Sequence, residues 1–297
     1  MVKHVSLLSV ITPTYTRAHL LPGCYESLRR QTCKDFEWII VDDGSRDNTD
    51  EVVASFAEAG FPIIYIKKEN GGKHTPHNAS HPHIRGKYVI TLDSDDILTD
   101  TAVADIIRAW DKYEDREDIG IVTFLKSTPD GTIFATVRDF DTPVDQLIYP
   151  RIITLGNDCC EVIRAELFKK YPFPVFEGER FLAEGVLWDR VAKTHKCVYI
   201  NNPIYLCEYL EGGLTQAGRA LRIRNPRGGM LSASFGLEKK NSLRMRIKSG
   251  LLYTCYGFFA GMNAKTIIDS NANRMILAAC LLPGYALYRY WKHKYMK

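Results

Sequence analysis

Polar side chains follow four short apolar segments in the first hundred residues of this 297-residue chain. Each apolar segment has the length and β-branched character of a strand buried on both faces. Open α/β sheets bind ligands beyond the carboxyl ends of their strands, so we expect the four polar tips to line one cleft. The tips read Thr12-Pro13-Thr14-Tyr15-Thr16-Arg17, Asp42-Asp43-Gly44-Ser45, Asn70-Gly71-Gly72-Lys73-His74 and Asp93-Ser94-Asp95-Asp96.

Four of these side chains have the chemistry to bind a nucleotide. Asp43 can accept hydrogen bonds from a base N–H or from ribose hydroxyls, and Tyr15 can offer a ring face. Arg17 and Lys73 can meet phosphate oxygens. Taken alone, the Asp-Asp-Gly motif could be a turn and Lys73 an ordinary solvated side chain. The order and spacing of the four tips together favour the nucleotide interpretation.

Asp93 and Asp95 stand one residue apart at the fourth tip. Two carboxylates in this arrangement can hold a hard divalent cation that also takes diphosphate oxygens, which predicts Mn²⁺ or Mg²⁺. A group of aspartates that caps a helix N-terminus is the alternative for this motif.

The elements that position these tips alternate between strand and helix. Helices are predicted over Leu20–Leu28, from a capping box of Asn48 and Glu51 through Ala59, and over Asp100–Trp110 with Asp100 as the cap. This alternation predicts an α/β domain with a mostly parallel central sheet. The predicted strands are Leu7–Ile11, Trp38–Val41, Ile63–Ile66, Tyr88–Leu92 and Ile119–Leu125, with further strand-like pieces at Ile133–Val137 and Glu161–Ile163.

Positive charge is concentrated at the C-terminus. Residues 219–297 carry fifteen Lys and Arg against two acidic residues, a balance of +13, so the rest of the chain sums to −9 within a total of +4. Two uncharged runs, Gly250–Met262 and Met275–Tyr288, fall short of the roughly 20 apolar residues that a spanning helix needs. Basic residues beside aromatic ones predict helices that lie on a membrane surface without crossing it.

The motifs together resemble the family-2 glycosyltransferases, which have a GT-A-type fold. Ser9–Arg17 is similar to the family pattern S-V-I-x-P-T-Y-N-R, and Val41–Thr49 matches V-D-D-G-S-x-D-x-T. Asn70–Gly72 matches N-x-G, and Leu92–Asp96 reads L-D-S-D-D. The chain departs from the pattern at Thr16, which replaces Asn, and at Pro76-His77-Asn78, which replaces Ala-Arg-Asn.

This resemblance implies a direct displacement that inverts the sugar's anomeric configuration, with a nucleotide-sugar, most typically a UDP-sugar, as donor. It implies a glycan or lipid-linked glycan acceptor in bacterial cell-surface polysaccharide synthesis. Asp93 would face the ribose or diphosphate, and Asp95 would ligate the metal. The resemblance assigns the nucleoside to Pro13, Tyr15, Arg17 and Asp43, with Lys73 as the further phosphate contact.

The second half, from Gly156-Asn157-Asp158 to Glu208–Thr215, resembles a branch of bacterial envelope enzymes. In many relatives a Glu-Asp pair begins a helix here, and its Asp is the catalytic base. This chain has Glu184-Gly185 instead. Glu184 is therefore the predicted base, with Asp189 as the second candidate and helix capping as the structural alternative for Glu184.

These observations predict a GT-A-type domain over residues 1–215, divided into a nucleotide-sugar-binding half (1–100) and an acceptor-side half (101–215). Residues 216–297 would form a basic amphipathic helical extension that contacts a membrane surface or a second copy of the chain. The eight cysteines lack C-x-x-C spacing, which predicts reduced thiols. The expected location is therefore the cytoplasm, peripheral at the inner face of the cell membrane.

Three other classes of protein fit less well. A dinucleotide oxidoreductase would need G-x-G-x-x-G after the first strand, where Pro13-Thr14-Tyr15 stands. A metal-dependent nucleotide-sugar hydrolase or phosphatase could use Asp93 and Asp95, but it leaves Tyr15 and Arg17 unexplained. A nucleic-acid binder could explain the C-terminal charge but not the acidic cleft, so no nucleic-acid partner is expected.

Overall fold

A computed structural model describes residues 6–56, 60–135, 137–145, 158–208 and 214–296. The chain divides into two compact units, one of residues 1–173 and 187–208 and the other of residues 174–186 and 209–297. No pattern in the sequence indicates that residues 174–186 belong to the C-terminal unit. Gly156, Asn157 and the stretch 209–213, which carried part of the family resemblance, lie outside the described residues.

Nine strands form one sheet in the first unit. They are β1 (Leu8–Thr14), β2 (Phe36–Asp42), β3 (Ile63–Lys67), β4 (Tyr88–Thr91), β5 (Ile97–Leu98), β6 (Ile119–Ser127), β7 (Pro143–Val144), β8 (Cys159–Arg164) and β9 (Lys196–Leu206). The strand order is β3-β2-β1-β4-β8-β6-β9-β5, and β7 pairs with β9. The strands predicted from the apolar runs are therefore present, with ends that differ by up to three residues.

The first four long strands pair in parallel, and antiparallel pairing begins at β8. β1 pairs in parallel with both β2 and β4, and β2 pairs in parallel with β3. β8 runs antiparallel to both β4 and β6. Every residue of β1 and β2 is buried, which explains why these strands appear in the sequence as uninterrupted apolar runs. The predicted strand over Ile133–Val137 is a single antiparallel bridge between Ile133 and Ser127, and Thr136 lies outside the described residues.

Helices connect the strands of this unit, and one of the two predicted caps is wrong. Asn48 stands at the N-cap as predicted but makes no side-chain cap hydrogen bond, and its helix ends at Ala54; residues 57–59, through which the helix was predicted to run, lie outside the described residues. Asp100 is not a cap, because Thr101 takes that position while the Asp100 carboxylate accepts a hydrogen bond from Arg30. The helices are α1 (Leu21–Arg29), α2 (Thr49–Ala54), α3 (Thr75–Ser80), α4 (Ala102–Asp111), α5 (Ala165–Lys170) and α6 (Gly185–Val191).

The second unit is helical and packs its helices through glycines. A Cβ added at Gly250 would lie 2.9 Å from Ile276, and one at Gly284 would meet the Thr254 side chain, so these helices approach closely. No helix among the described residues combines the length and the apolar character needed to cross a membrane. The helices of the second unit are α7 (Leu214–Arg224), α8 (Pro226–Gly236), α9 (Leu243–Phe259), α10 (Ala264–Asp269) and α11 (Arg274–Tyr295).

Candidate active site

The carboxyl ends of β1, β2 and β4 lie side by side at one edge of the sheet. The parallel register pairs Thr14 with Asp42 and Ile11 with Thr91. One residue beyond the paired region, the Asp43 N–H still donates to the Thr14 carbonyl at 2.9 Å. The strand topology therefore places the predicted polar tips at one edge, where α/β sheets bind ligands.

Asp93, Asp95 and Asp96 form an acidic cluster directly after β4. One carboxylate oxygen from each residue lies within 4.8 Å of the others, with Asp93 and Asp95 half-buried and Asp96 buried. Carboxylate oxygens converging in this way are the ligands that Mg²⁺ and Mn²⁺ prefer, so the donor set fits the predicted metal.

The two predicted phosphate-binding cations contact the predicted metal ligands. Arg17 Nη1 lies 2.7 Å from Asp95 Oδ2, and Lys73 Nζ lies 2.9 Å from Asp93 Oδ2. All four side chains are partly accessible, between 19% and 35% exposed. The structure therefore brings Arg17, Lys73, Asp93 and Asp95 together, as the sequence predicted.

Opposite electrostatic environments act on two carboxyls of this acidic cluster. Desolvation raises the pKa of Asp96 to about 7, and the negative charge of Asp93 raises it further against the hydrogen bond from Tyr205. Desolvation would also raise the pKa of Asp93, but the nearby charges of Lys73 and Lys126 outweigh it and hold that pKa below its ordinary value. Asp93 is therefore the better anion of the two near neutral pH.

Asp43 is buried, and its carboxylate anchors the loop that carries Lys73. Its Oδ1 accepts hydrogen bonds from Lys68 Nζ at 2.5 Å and the Gly71 N–H at 3.0 Å. Its Oδ2 accepts from the Gly72 N–H at 2.8 Å and from Asn70 Nδ2 at 3.1 Å. These protein donors occupy the oxygens that the sequence assigned to a base or ribose. In this structure the Asp43 carboxylate therefore holds residues 68–72, the loop before Lys73, in position.

The first tip offers an exposed ring beside a constrained backbone. Tyr15 is 46% exposed, as a stacking surface requires, whereas Pro13 is buried within β1. Thr16 has a φ of 53°, and its N–H donates to Ser45 Oγ at 2.8 Å. Asn tolerates this left-handed conformation far better than a β-branched residue, which gives a physical reason for the Asn in the family pattern.

His74 and His77 follow the same loop and are buried. The His77 ring lies 5.3 Å from the Phe173 ring and 6.1 Å from the Phe168 ring. It therefore packs among aromatic side chains where the family commonly has a cationic Arg. Burial, together with the charge of His77, lowers the pKa of His74 to about 4, so the His74 ring is neutral at physiological pH.

Three residues around the acidic cluster were not predicted from the sequence. Tyr205, in β9, hydrogen-bonds to Asp93 and Asp96, and the Cys24 thiol contacts carbonyl oxygens of the same turn. Lys126 Nζ lies 4.5 Å from the Tyr205 ring centroid. All three lie far along the chain from Asp93 and outside the motifs found there, so no local signal could have found them.

One candidate base directly precedes a short helix and the other lies within it. Glu184 is half-buried, directly precedes α6 and belongs to the second unit. Asp189 is half-buried within α6 and belongs to the first unit. Glu184 thus stands where a helix cap would stand, so the capping alternative stays open beside the catalytic one.

The chain belongs to glycosyl transferase family 2, because the family model matches residues 9–171, more than half of its length. GlyG of Streptococcus pneumoniae, a glycosyltransferase, is 27% identical over 223 residues, which cover 70% of this chain and 72% of GlyG. The hyaluronan synthase of Pasteurella multocida is 33% identical over 135 residues. That match covers 45% of this chain and 14% of the synthase.

Solved structures share the fold at low sequence identity. Residues 1–349 of Staphylococcus aureus TarS, in complex with UDP-GlcNAc, align with a TM-score of 0.61 at 17% identity, covering 95% of this chain and 91% of that one. The mannosyltransferase PcManGT from Pyrobaculum calidifontis, in complex with GDP-Man and Mn²⁺, aligns with a TM-score of 0.58 at 18% identity. That alignment covers 97% of this chain and 83% of the mannosyltransferase. The predicted GT-A-type fold is therefore confirmed.

Proposed function

We propose that this glycosyltransferase is a metal-dependent, inverting enzyme that moves a sugar from a UDP-sugar to an acceptor hydroxyl. The acceptor would be a glycan or lipid-linked glycan in the synthesis of a bacterial surface polysaccharide. The observation that carries the proposal is the pairing of Arg17 with Asp95 and of Lys73 with Asp93. In these two pairs, cations that suit a diphosphate contact carboxylates that suit a metal, at one edge of the sheet.

Each predicted residue has a role in donor binding. The exposed Tyr15 ring would stack on the base, while Pro13 and Asp43 fix the backbone around it. Arg17 and Lys73 would exchange their carboxylate partners for phosphate oxygens when the donor enters. UDP is the proposed nucleotide because TarS, which shares the fold, has been solved with UDP-GlcNAc.

A metal held by Asp95 and Asp93 would supply positive charge that stabilises the departing diphosphate. A carboxylate, with Glu184 as first candidate and Asp189 as second, would take the proton of the acceptor hydroxyl. The acceptor oxygen forms a bond to the anomeric carbon as the bond from that carbon to the β-phosphate oxygen breaks. This single displacement inverts the anomeric configuration.

The test is turnover of a panel of nucleotide sugars with oligosaccharide and lipid-linked acceptors, with the product's anomeric configuration read by NMR. The proposal expects UDP release that depends on the acceptor and on Mn²⁺ or Mg²⁺, and a product inverted relative to the donor. If UDP is released at the same rate without acceptor, water takes the sugar, and this result would favour the nucleotide-sugar hydrolase. A product that retains the anomeric configuration of the donor would contradict the single displacement at the anomeric carbon.

We further propose that the second unit attaches to a membrane surface, and the exposed side of helix α11 supports this. Met275, Ala279, Leu282 and Ala286 recur at helical spacing along one exposed stripe, and Met275 and Leu282 are 87% and 80% exposed. Exposed basic residues follow at the end of this helix, including Arg289, Lys292 and Lys294. An apolar stripe beside cations suits the interface of an anionic bilayer, where each basic residue contributes about 1 kcal/mol.

Flotation of the full chain with liposomes tests this attachment. The proposal expects binding to anionic liposomes that weakens with salt and drops strongly in Leu282→Asp. Val175→Asp, at a 62% exposed position outside α11, should bind like the wild type. Equal binding by wild type and Leu282→Asp would contradict the role of α11. A concentration-dependent dimer that Leu282→Asp abolishes would instead assign the stripe to a second copy.

A further inference from the structure

The acidic turn after β4 is held by a tyrosine more than a hundred residues away in the chain. The Tyr205 hydroxyl accepts a hydrogen bond from the Asp93 N–H at 3.0 Å and donates one to Asp96 Oδ2 at 2.8 Å. One hydroxyl therefore joins both ends of the Asp93–Asp96 turn. Tyr205 is 2% exposed, so water does not compete for these two bonds.

The strand register explains why this hydroxyl reaches the turn. β5, which begins directly after Asp96, pairs antiparallel with the end of β9, so that Leu98 lies opposite Tyr205. On the β6 side, Lys126 pairs with Tyr205 in register, and its Nζ lies 4.5 Å from the ring centroid. Lys126 itself forms an ion pair with Asp158 at 3.0 Å. The ring is thus fixed in position by the sheet and by a cation.

A second side chain holds the same turn through its carbonyls. The Cys24 Sγ lies 3.2 Å from the Asp93 carbonyl oxygen and 3.0 Å from the Asp96 carbonyl oxygen. Cys24 comes from α1 and is 1% exposed. The turn is therefore bound from two different elements before any ligand arrives.

We propose that Tyr205, supported by Cys24, is a positioning residue that preorganises the Asp93–Asp96 turn to receive the divalent metal. This inference rests on the proposed role of Asp93 and Asp95 as metal ligands. Without the hydroxyl, the Asp93 N–H and the Asp96 carboxyl lose a shared partner, and the turn can adopt conformations whose carboxylates no longer converge. Metal binding would then have to order the turn and would be weaker.

The experiment is a titration of the full chain with Mn²⁺ in the presence of UDP, with free Mn²⁺ read by electron paramagnetic resonance. Tyr205→Phe keeps the ring and removes the hydroxyl. Because the buried Asp93 N–H and Asp96 carboxyl would lose their shared hydrogen-bond partner, its Mn²⁺ dissociation constant should rise about tenfold or more. Tyr113→Phe is the matched control, since Tyr113 is also buried and its hydroxyl bonds instead to the Asp141 carbonyl. Its Mn²⁺ affinity should stay within about twofold of the wild type, well below a hydrogen bond's contribution.

The possible outcomes separate this inference from the proposed function. If wild-type protein with UDP binds no more Mn²⁺ than UDP alone does, the proposed metal site itself is overturned. If the wild type binds Mn²⁺ and a folded Tyr205→Phe variant binds it with the same affinity, only the positioning role is overturned. Should Tyr205→Phe not unfold cooperatively, Cys24→Ala takes its place, because it releases the same turn from the other side. The proposal expects weaker Mn²⁺ binding there too, and unchanged affinity would contradict it.

Discussion

Arg17 Nη1 lies 2.7 Å from Asp95 Oδ2, so a predicted phosphate ligand is paired with the predicted metal ligand. The same holds for Lys73 and Asp93 at 2.9 Å. The site thereby neutralises its own charges, and binding of a metal with a diphosphate must separate both ion pairs. It follows that the two cations oppose a metal that arrives alone and favour a metal that arrives with phosphate.

Arg17→Gln should therefore have opposite effects on two affinities. Removing the cation frees Asp95, so Mn²⁺ alone should bind about two- to fivefold more tightly, the range of a partly exposed ion pair. UDP in the presence of Mn²⁺ should bind about tenfold more weakly, since a charge-assisted bond to phosphate is lost. Calorimetric titration measures both affinities.

Lys87→Met is the control for this experiment, because it removes a surface cation paired with Glu114 at 2.7 Å that does not contact the acidic cluster. Both affinities should be unchanged in this variant. Weaker binding of Mn²⁺ alone by Arg17→Gln would contradict the ion-pair exchange.

Thr16→Asn should stabilise the protein. Thr16 has a φ of 53°, in the left-handed region that β-branched residues rarely adopt and Asn tolerates. Relief of this strain should raise the free energy of unfolding by about 1 kcal/mol, measured by denaturant titration. Thr32→Asn, at an exposed threonine without a positive φ, should have no such effect. A destabilised Thr16→Asn would show that the threonine side chain makes a contact more important than the strain.

Glu184→Gln should lower kcat by about two to four orders of magnitude if this carboxylate takes the acceptor proton, while UDP affinity stays close to that of the wild type. Asp189→Asn, five residues later and within α6, is the paired variant. Steady-state kinetics with UDP binding measured separately distinguishes the two. Near-normal turnover in Glu184→Gln with loss in Asp189→Asn would move the role to Asp189. A loss of stability without a specific loss of kcat would support helix capping.

The strand tips could be predicted from the sequence because buried parallel strands leave uninterrupted apolar runs whose polar ends stand out. That placement predicted that Arg17 and Asp95 would share one cleft, but not the ion pair between them. Tyr205 could not be predicted, since its contact with Asp93 spans 112 positions and depends on the register of β9. The predicted cap at Asp100 is wrong because its carboxylate accepts a tertiary hydrogen bond from Arg30, and local capping patterns yield to such contacts.

Glu179 is a second residue whose role depends on distant contacts. Its buried carboxylate accepts hydrogen bonds from the Arg227 N–H at 2.7 Å and the Gly228 N–H at 2.9 Å, at the start of α8. Glu179→Ala leaves these helix donors unpaired and should lower the free energy of unfolding by about 1–3 kcal/mol. Glu177→Ala, at an exposed position two residues earlier, should change it by less than about 0.5 kcal/mol. Equal effects in the two variants would contradict the capping role of Glu179.

Asp95 should couple nucleotide binding to a divalent metal, and titration of wild type and Asp95→Ala with UDP, each with and without Mn²⁺, measures this coupling. The wild type should bind UDP at least about tenfold more tightly with Mn²⁺, and excess chelator should abolish the difference. Asp95→Ala should fold normally and show no effect of Mn²⁺ on UDP affinity. Equal UDP affinity of the wild type with and without Mn²⁺, or the full Mn²⁺ effect in Asp95→Ala, would contradict the coupling through Asp95.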